Sequence, residues 1–142
     1  MSEPLRFHFV VDGSDFSSAG AASVMVKKKL RQLDYDPEII RKVSIAMYEG
    51  EINMVIHADG GVIDVTITRD KIHMVLKDKG PGIQNINLAM TEGYSTASEE
   101  VRQLGFGAGM GLPNMKKYTD YFHIDSKVGV GTTVEMTVNI EK

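Results

Sequence analysis

Val62-Ile63-Asp64-Val65-Thr66-Ile67-Thr68-Arg69-Asp70-Lys71-Ile72-His73-Met74-Val75-Leu76-Lys77 is the stretch that decides the fold. From Val62 to Thr68 apolar and polar residues alternate, the period of a strand with one buried face. A short polar turn follows, and Ile72 to Lys77 runs back, so the stretch reads as a β-hairpin. A second hairpin lies downstream, with Tyr121 to Lys127 and Thr132 to Ile140 flanking the turn Val128-Gly129-Val130-Gly131. Upstream, Arg6 to Val11 is a first strand rich in Phe and Val.

Helices fill the gaps. Ser17 and Ser18 suit the cap of a helix from about Ala19 to Leu33. Asp36 before Pro37 is a helix start, an N-cap followed by proline at the first helical position. That second helix runs to about Ala58 and stops at Asp59-Gly60-Gly61. Asn85 to Met90 reads as a short helix, Thr91 to Phe106 as a long aperiodic loop, and Gly109 to Tyr118 as a helix with Pro113 in its first turns. The order is therefore β, α, α, β-β, short α, loop, α, β-β. Two hairpins in that order exclude a doubly wound parallel sheet. They fit an α+β two-layer sandwich, one mixed and mostly antiparallel sheet with helices on one face. The whole chain, residues 1–142, reads as one domain. A loop of this length in so small a domain suggests a lid or binding segment.

Three segments carry chemistry. At 100° per residue, Glu49 and Asn53 share one face of the second helix, in a stripe with Ile45, Ile52 and Ile56. They are either polar residues at the edge of the core face or a metal and water site, with an amide oxygen for magnesium and a carboxylate base. His57, one turn on, reads as a helix-end residue. The segment Lys77-Asp78-Lys79-Gly80-Pro81-Gly82-Ile83 is either a plain turn or an adenine site. In the second case Gly80 and Gly82 let backbone approach a flat ring and Asp78 accepts a bond from the exocyclic amine. The run Gly105-Phe106-Gly107-Ala108-Gly109-Met110-Gly111-Leu112 leads into a helix. This is either a flexible structural hinge or a phosphate site, since alternating glycines ahead of a helix N-terminus offer backbone N–H groups to an anion. No G-K-[ST] follows, so this is not a P-loop.

Composition narrows the class. The 142 residues are 42% hydrophobic and 25% charged, an ordinary globular balance. A net charge of −3 gives no basic face for nucleic acid. No stretch approaches the roughly 18 apolar residues of a membrane span, and the first residues do not read as a signal peptide. With no cysteine there is neither disulfide nor thiolate chemistry, and a cytoplasmic location is expected. His8, His73 and His123 sit at separate strand positions and read as structural, the nine methionines as core filler, and Lys27-Lys28-Lys29 as a solvated helix face.

Taken in order, Glu49-x-x-x-Asn53, Asp78-x-Gly80-x-Gly82, the glycine run and Gly129-x-Gly131-Thr132 resemble the Bergerat or GHKL ATPase superfamily. Tyr48 to His57, Gly109 to Lys117 and Gly131-Thr132-Thr133 are similar to the small serine kinases of that group, the anti-sigma-factor and switch kinases of partner-switching systems. The resemblance implies ATP and magnesium as cofactors, with Asn53 holding magnesium and Glu49 as the catalytic base. It implies that Asp78, Gly80, Gly82, Ile83, Gly105, Gly107, Ala108, Gly109, Met110, Gly111, Leu112 and Thr132 line the nucleotide. It also implies a small regulatory protein as the phosphorylated partner, a sigma factor as a further partner, and a homodimer as an allowed state. A nucleotide-gated clamp that sequesters its partner without fast phosphotransfer is the second reading. A histidine-kinase catalytic domain and a gyrase-like motor rank lower, for want of a phosphoacceptor helix pair and a transducer.

Overall fold

A computed structural model describes residues 4–13, 19–58, 60–80, 82, 90 and 111–140. The elements are β1 (Leu5–Asp12), α1 (Ala21–Gln32), α2 (Pro37–Ala58), β2 (Gly60–Ile67), β3 (Lys71–Lys77), α3 (Gly111–Lys117), β4 (Tyr121–Lys127) and β5 (Gly131–Asn139). Both hairpins, the first strand and three of the four helices of the sequence reading are present, with ends shifted by one or two residues. Ser17, Ser18, the short helix expected over Asn85 to Met90 (Met90 itself apart) and the long loop from Thr91 to Phe106 lie outside the described residues.

The five strands form one sheet in the order β1-β2-β3-β5-β4. All four pairings are antiparallel, so the expected mixed sheet is, among the described residues, purely antiparallel. The first hairpin closes through Thr68, whose N–H donates to the Lys71 carbonyl at 2.9 Å and whose hydroxyl accepts from the Lys71 N–H at 3.2 Å. Alternation then sends Ile63, Val65, Ile67, Ile72, Met74, Leu76, Val134, Met136 and Val138 to one face, where all are buried. Ile39, Ile40, Val43, Ala46, Met47, Met54 and Val55 of α2 cover that face. Five of the nine methionines (Met47, Met54, Met74, Met115 and Met136) are core residues, while Met25 is 60% exposed.

The other sheet face carries polar side chains. His8 Nδ1 lies 2.6 Å from Asp64 Oδ1 across the β1–β2 pair, and His73 Nε2 lies 2.6 Å from Glu135 Oε2 between β3 and β5. His123 stands opposite Glu135 on β4. Three histidines that look isolated in sequence thus share one face, two of them paired with carboxylates. No group of three potential ligands among the described residues has metal-binding geometry.

Two local features differ from the sequence reading. The N-cap of α1 is Gly20 in the left-handed region (φ 94°) and makes no side-chain cap bond. The free N–H groups are instead taken by Glu51 of α2, as described below. The second concerns Gly50, which sits inside α2 where glycine costs about 1 kcal/mol relative to alanine. A Cβ there would lie 2.4 Å from Leu76 Cδ2 and 3.3 Å from Met115 Sδ. Close approach of α2 to β3 and α3 explains the glycine. The start of α2 is as expected: Asp36 Oδ1 accepts from the Glu38 N–H at 2.8 Å.

Candidate functional site

Three segments converge on the C-terminal half of α2. The first is the helix itself. Glu49 and Asn53, one turn apart, are both half-buried, and Ile52 between them is buried. Burial raises the pKa of the Glu49 carboxyl, and a side-chain hydrogen bond from Asn114 partly offsets the rise. Asn114 reaches Glu49 because α3 packs along α2, with Leu112 and Met115 buried beneath it.

The second segment is the turn after β3. Asp78 Oδ1 accepts two backbone N–H bonds, from Gly80 at 2.9 Å and from Thr132 at 3.1 Å. The Asp78 N–H in turn donates to the Thr132 carbonyl at 2.9 Å. Asp78 Oδ1 thus holds the turn, and among the described residues Oδ2 accepts no hydrogen bond.

The third segment is the start of β5. Thr132, far from Asp78 in sequence, is bound to it in the fold. Its hydroxyl lies 2.8 Å from that of Ser126. Gly131 is needed here, since with φ 144° its Cβ would fall 2.2 Å from the Asp78 carbonyl oxygen.

The glycines of the turn are also required by the packing of the protein itself. A Cβ on Gly80 would lie 2.5 Å from the Cβ of Ala58, the last residue of α2. One on Gly82 (φ 80°) would lie 2.5 Å from the Lys127 carbonyl oxygen. Both contacts are with protein: the glycines wedge the turn between the end of α2 and the β4–β5 connection. Asp78 is thereby held close to the helix that carries Glu49 and Asn53. Gly111 and Leu112 begin α3, Leu112 as a buried residue. Ile83, Gly105, Gly107, Ala108, Gly109 and Met110 lie outside the described residues, and so does the side chain of His57.

Two residues were missed in sequence. Asn114 carries no signal of its own in the sequence, and only the packing of α3 on α2 reveals its contact with Glu49. Glu51 is 2% exposed. Its Oε2 accepts from the N–H groups of Gly20 (3.0 Å) and Ala22 (3.1 Å), and its Oε1 from the Ser23 N–H (3.0 Å) and hydroxyl (2.7 Å). A carboxylate at the positive end of α1 caps that helix from outside and pins it to α2. At 100° per residue, two positions put Glu51 about 200° from Glu49, on the opposite side of α2. That spacing was the available signal.

Comparison with known proteins places this geometry. Residues 41–142 match the family model described as histidine kinase-, DNA gyrase B- and HSP90-like ATPase. The anti-sigma F factor of Anoxybacillus flavithermus is 32% identical over 85% of this chain and 84% of its own length. The serine/threonine-protein kinase RsbT of Bacillus subtilis is 27% identical over 81% of this chain and 84% of its own. Among solved structures, that of the RsbU and RsbW domains of Rv1364c from Mycobacterium tuberculosis superposes with a TM-score of 0.66 at 16% identity. It matches 99% of this chain, which spans 33% of that one, and at this identity it speaks for the fold alone.

Proposed function

The chain belongs to the family of histidine kinase-, DNA gyrase B- and HSP90-like ATPases, and on that premise we propose that it is a single-domain protein serine/threonine kinase that acts on a small regulatory protein in a partner-switching system. The names of the similar proteins, an anti-sigma factor and a serine/threonine kinase, support that class. Under this reading a sigma factor is a further partner. The setting is cytoplasmic, and no helix among the described residues is long and apolar enough to cross a membrane.

One observation carries the reading: the stapling of Asp78 to Thr132 and Gly80 beside the end of the helix that bears Glu49 and Asn53. The donor set fits a magnesium-bound adenine nucleotide. Asp78 Oδ2 is free to accept the exocyclic amine, a donor that guanine does not present at that place. Asn53 offers an amide oxygen, the ligand type magnesium prefers. When bound, ATP and magnesium supply the phosphoryl group and the charge that neutralises it. The residues of the chain do the rest. Glu49 accepts the proton of the substrate hydroxyl on its carboxylate. Its burial raises its proton affinity, which suits a base working near neutral pH. Asn114 holds that carboxylate in one orientation. The run Gly105 to Gly111, with Leu112, would meet the phosphates, and Ile83 would border the adenine.

Radiolabelled ATP and the co-purified partner test the reading. Glu49→Ala should keep ATP affinity within a few-fold while phosphotransfer falls by roughly 10²–10⁴, the usual contribution of a general base. Asn53→Ala should lose both. Label on serine or threonine fits the kinase. A wild-type protein that transfers no label yet binds its partner only with nucleotide would be a clamp. Glu49→Ala transferring at the wild-type rate would overturn the assignment of the base.

A further inference from the structure

A cavity of about 450 Å³ opens at the other end of the α1–α2 pair, away from the Asp78 turn. Three cations line it: Lys27 and Arg31, one turn apart on α1, and Arg41 on α2. Asp34 is the single acidic residue of the lining, so positive charge dominates in a chain whose net charge is −3. Arg41 already touches Glu38 (3.1 Å) and lies over the Tyr118 ring (5.1 Å to its centroid). Lys27 and Arg31 form no ion pair among the described residues. The floor is apolar, with Ile40 buried and Ile45 half-buried. Into this lining the helix also brings Ser44, whose Oγ is buried and has no hydrogen-bond partner among the described residues.

A buried hydroxyl without a partner costs about 1–3 kcal/mol, so such groups are normally satisfied by something. Half-buried Lys27 and exposed Arg31, with Asp34 as the one acidic neighbour in the lining, leave a net positive rim over an apolar floor, and the complement to that is negative charge at one end and an apolar body at the other. The size is that of small-molecule sites, typically about 300–1,000 Å³. The Lys27-Lys28-Lys29 run is therefore only partly the solvated face expected from sequence. Lys28 is exposed, but Lys27 is half-buried and turned to the cavity.

We propose that this cavity is a second ligand site, which takes a small organic anion: a carboxylate or phosphate group, held by Lys27 and Arg31, on a compact apolar stem that reaches Ile40, Ile45 and the Ser44 hydroxyl. The site is separate from the nucleotide site and does not depend on the kinase reading.

The full chain, at 15.6 kDa, suits amide NMR. Phenyl phosphate and benzoate, titrated separately, distinguish the two head groups; inorganic phosphate tests the need for the stem. Shifts should centre on Tyr35, Ile40, Ser44 and Ile45 with one or both organic anions, and inorganic phosphate should bind at least tenfold more weakly. Lys27→Gln with Arg31→Gln should weaken binding at least tenfold and leave the amide spectrum folded. Ser44→Ala should weaken it two- to fivefold, a change that charge screening alone would not produce. Shifts confined to Asp78 and Thr132, equal binding of inorganic phosphate, or unchanged binding by the double variant would overturn the proposal. So would the absence of any shift at 20-fold excess over a millimolar protein sample.

Discussion

Glu51→Ala should be the most destabilising single substitution outside the apolar core. The side chain is 2% exposed and its two oxygens accept four hydrogen bonds from the first residues of α1. Losing a helix N-cap alone costs about 0.5–2 kcal/mol. Here the loss is larger, because three backbone N–H groups and a hydroxyl are stranded at residues that are themselves buried: Ala22 is 6% and Ser23 4% exposed. Removing one partner of a buried charged network costs about 3–5 kcal/mol, and water entering the space left by the side chain sets the result toward the lower end. The expected loss is about 3–4 kcal/mol. At about 3–4 °C per kcal/mol for a chain of this size, the melting temperature should fall by roughly 10–15 °C. Urea unfolding followed by circular dichroism measures the free energy directly. Glu51→Gln keeps one acceptor oxygen but turns an amide donor toward N–H groups, so it should lie between wild type and Glu51→Ala. A loss below about 1 kcal/mol for Glu51→Ala would show that α1 does not depend on this carboxylate, and the account of its N-terminus would fail.

Other substitutions separate the remaining claims. Gly50→Ala gains about 1 kcal/mol of helix propensity but drives a methyl to 2.4 Å from Leu76 Cδ2. Overpacking costs about 1–3 kcal/mol, so thermal melting should show a net loss that Leu76→Val partly restores; a stabilised Gly50→Ala would refute the close packing. Asp78→Asn keeps the Oδ1 acceptor for Gly80 and Thr132 but presents an amide donor to the adenine amine. It should melt within about 1 °C of wild type and lose the stabilisation by ATP, whereas Asp78→Ala should lose both. Retained ATP stabilisation in Asp78→Asn would remove Asp78 from the adenine site. Asn114→Ala removes the bond that lowers the Glu49 pKa, so the acidic limb of phosphotransfer should move to higher pH; movement to lower pH contradicts the contact. The same raised pKa has a stability consequence. A carboxyl whose folded pKa exceeds its unfolded one contributes stability below the ordinary carboxylate range and loses it as pH rises through the raised value. Glu49→Gln should therefore be more stable than wild type at neutral pH and show no advantage in acid. Denaturation across that range measures it.

Glu49 and Glu51 of α2 show where sequence reading succeeds and where it stops. Hairpins, strand faces and the start of α2 are written in local patterns: alternation from Val62 to Lys77, and Asp36 before Pro37. Asp78, Gly131 and Thr132 were legible as a set only through the resemblance, whose ordered motifs include all three. Locality fails where the partner is remote. Ser17 and Ser18 suggested a cap because capping is usually local, yet the acceptor for α1 comes from Glu51, 28 residues beyond Ser23. Gly80 and Gly82 also answer to remote atoms that no local pattern names, since a Cβ on either would meet Ala58 or Lys127. Gly50 has no account in the sequence alone, because its reason is Leu76 on a different element. These remote constraints share one helix. Glu51 pins one side of α2 to α1, Gly50 seats it on Leu76, and Ala58 holds its end against the Asp78 turn. Asn53 lies between those fixed points and Glu49 directly before the first of them. A helix anchored on both sides and at its end has little freedom to rotate, so packing elsewhere on α2 sets the direction of the Glu49 side chain, and its hydrogen bond with Asn114 then orients the carboxylate.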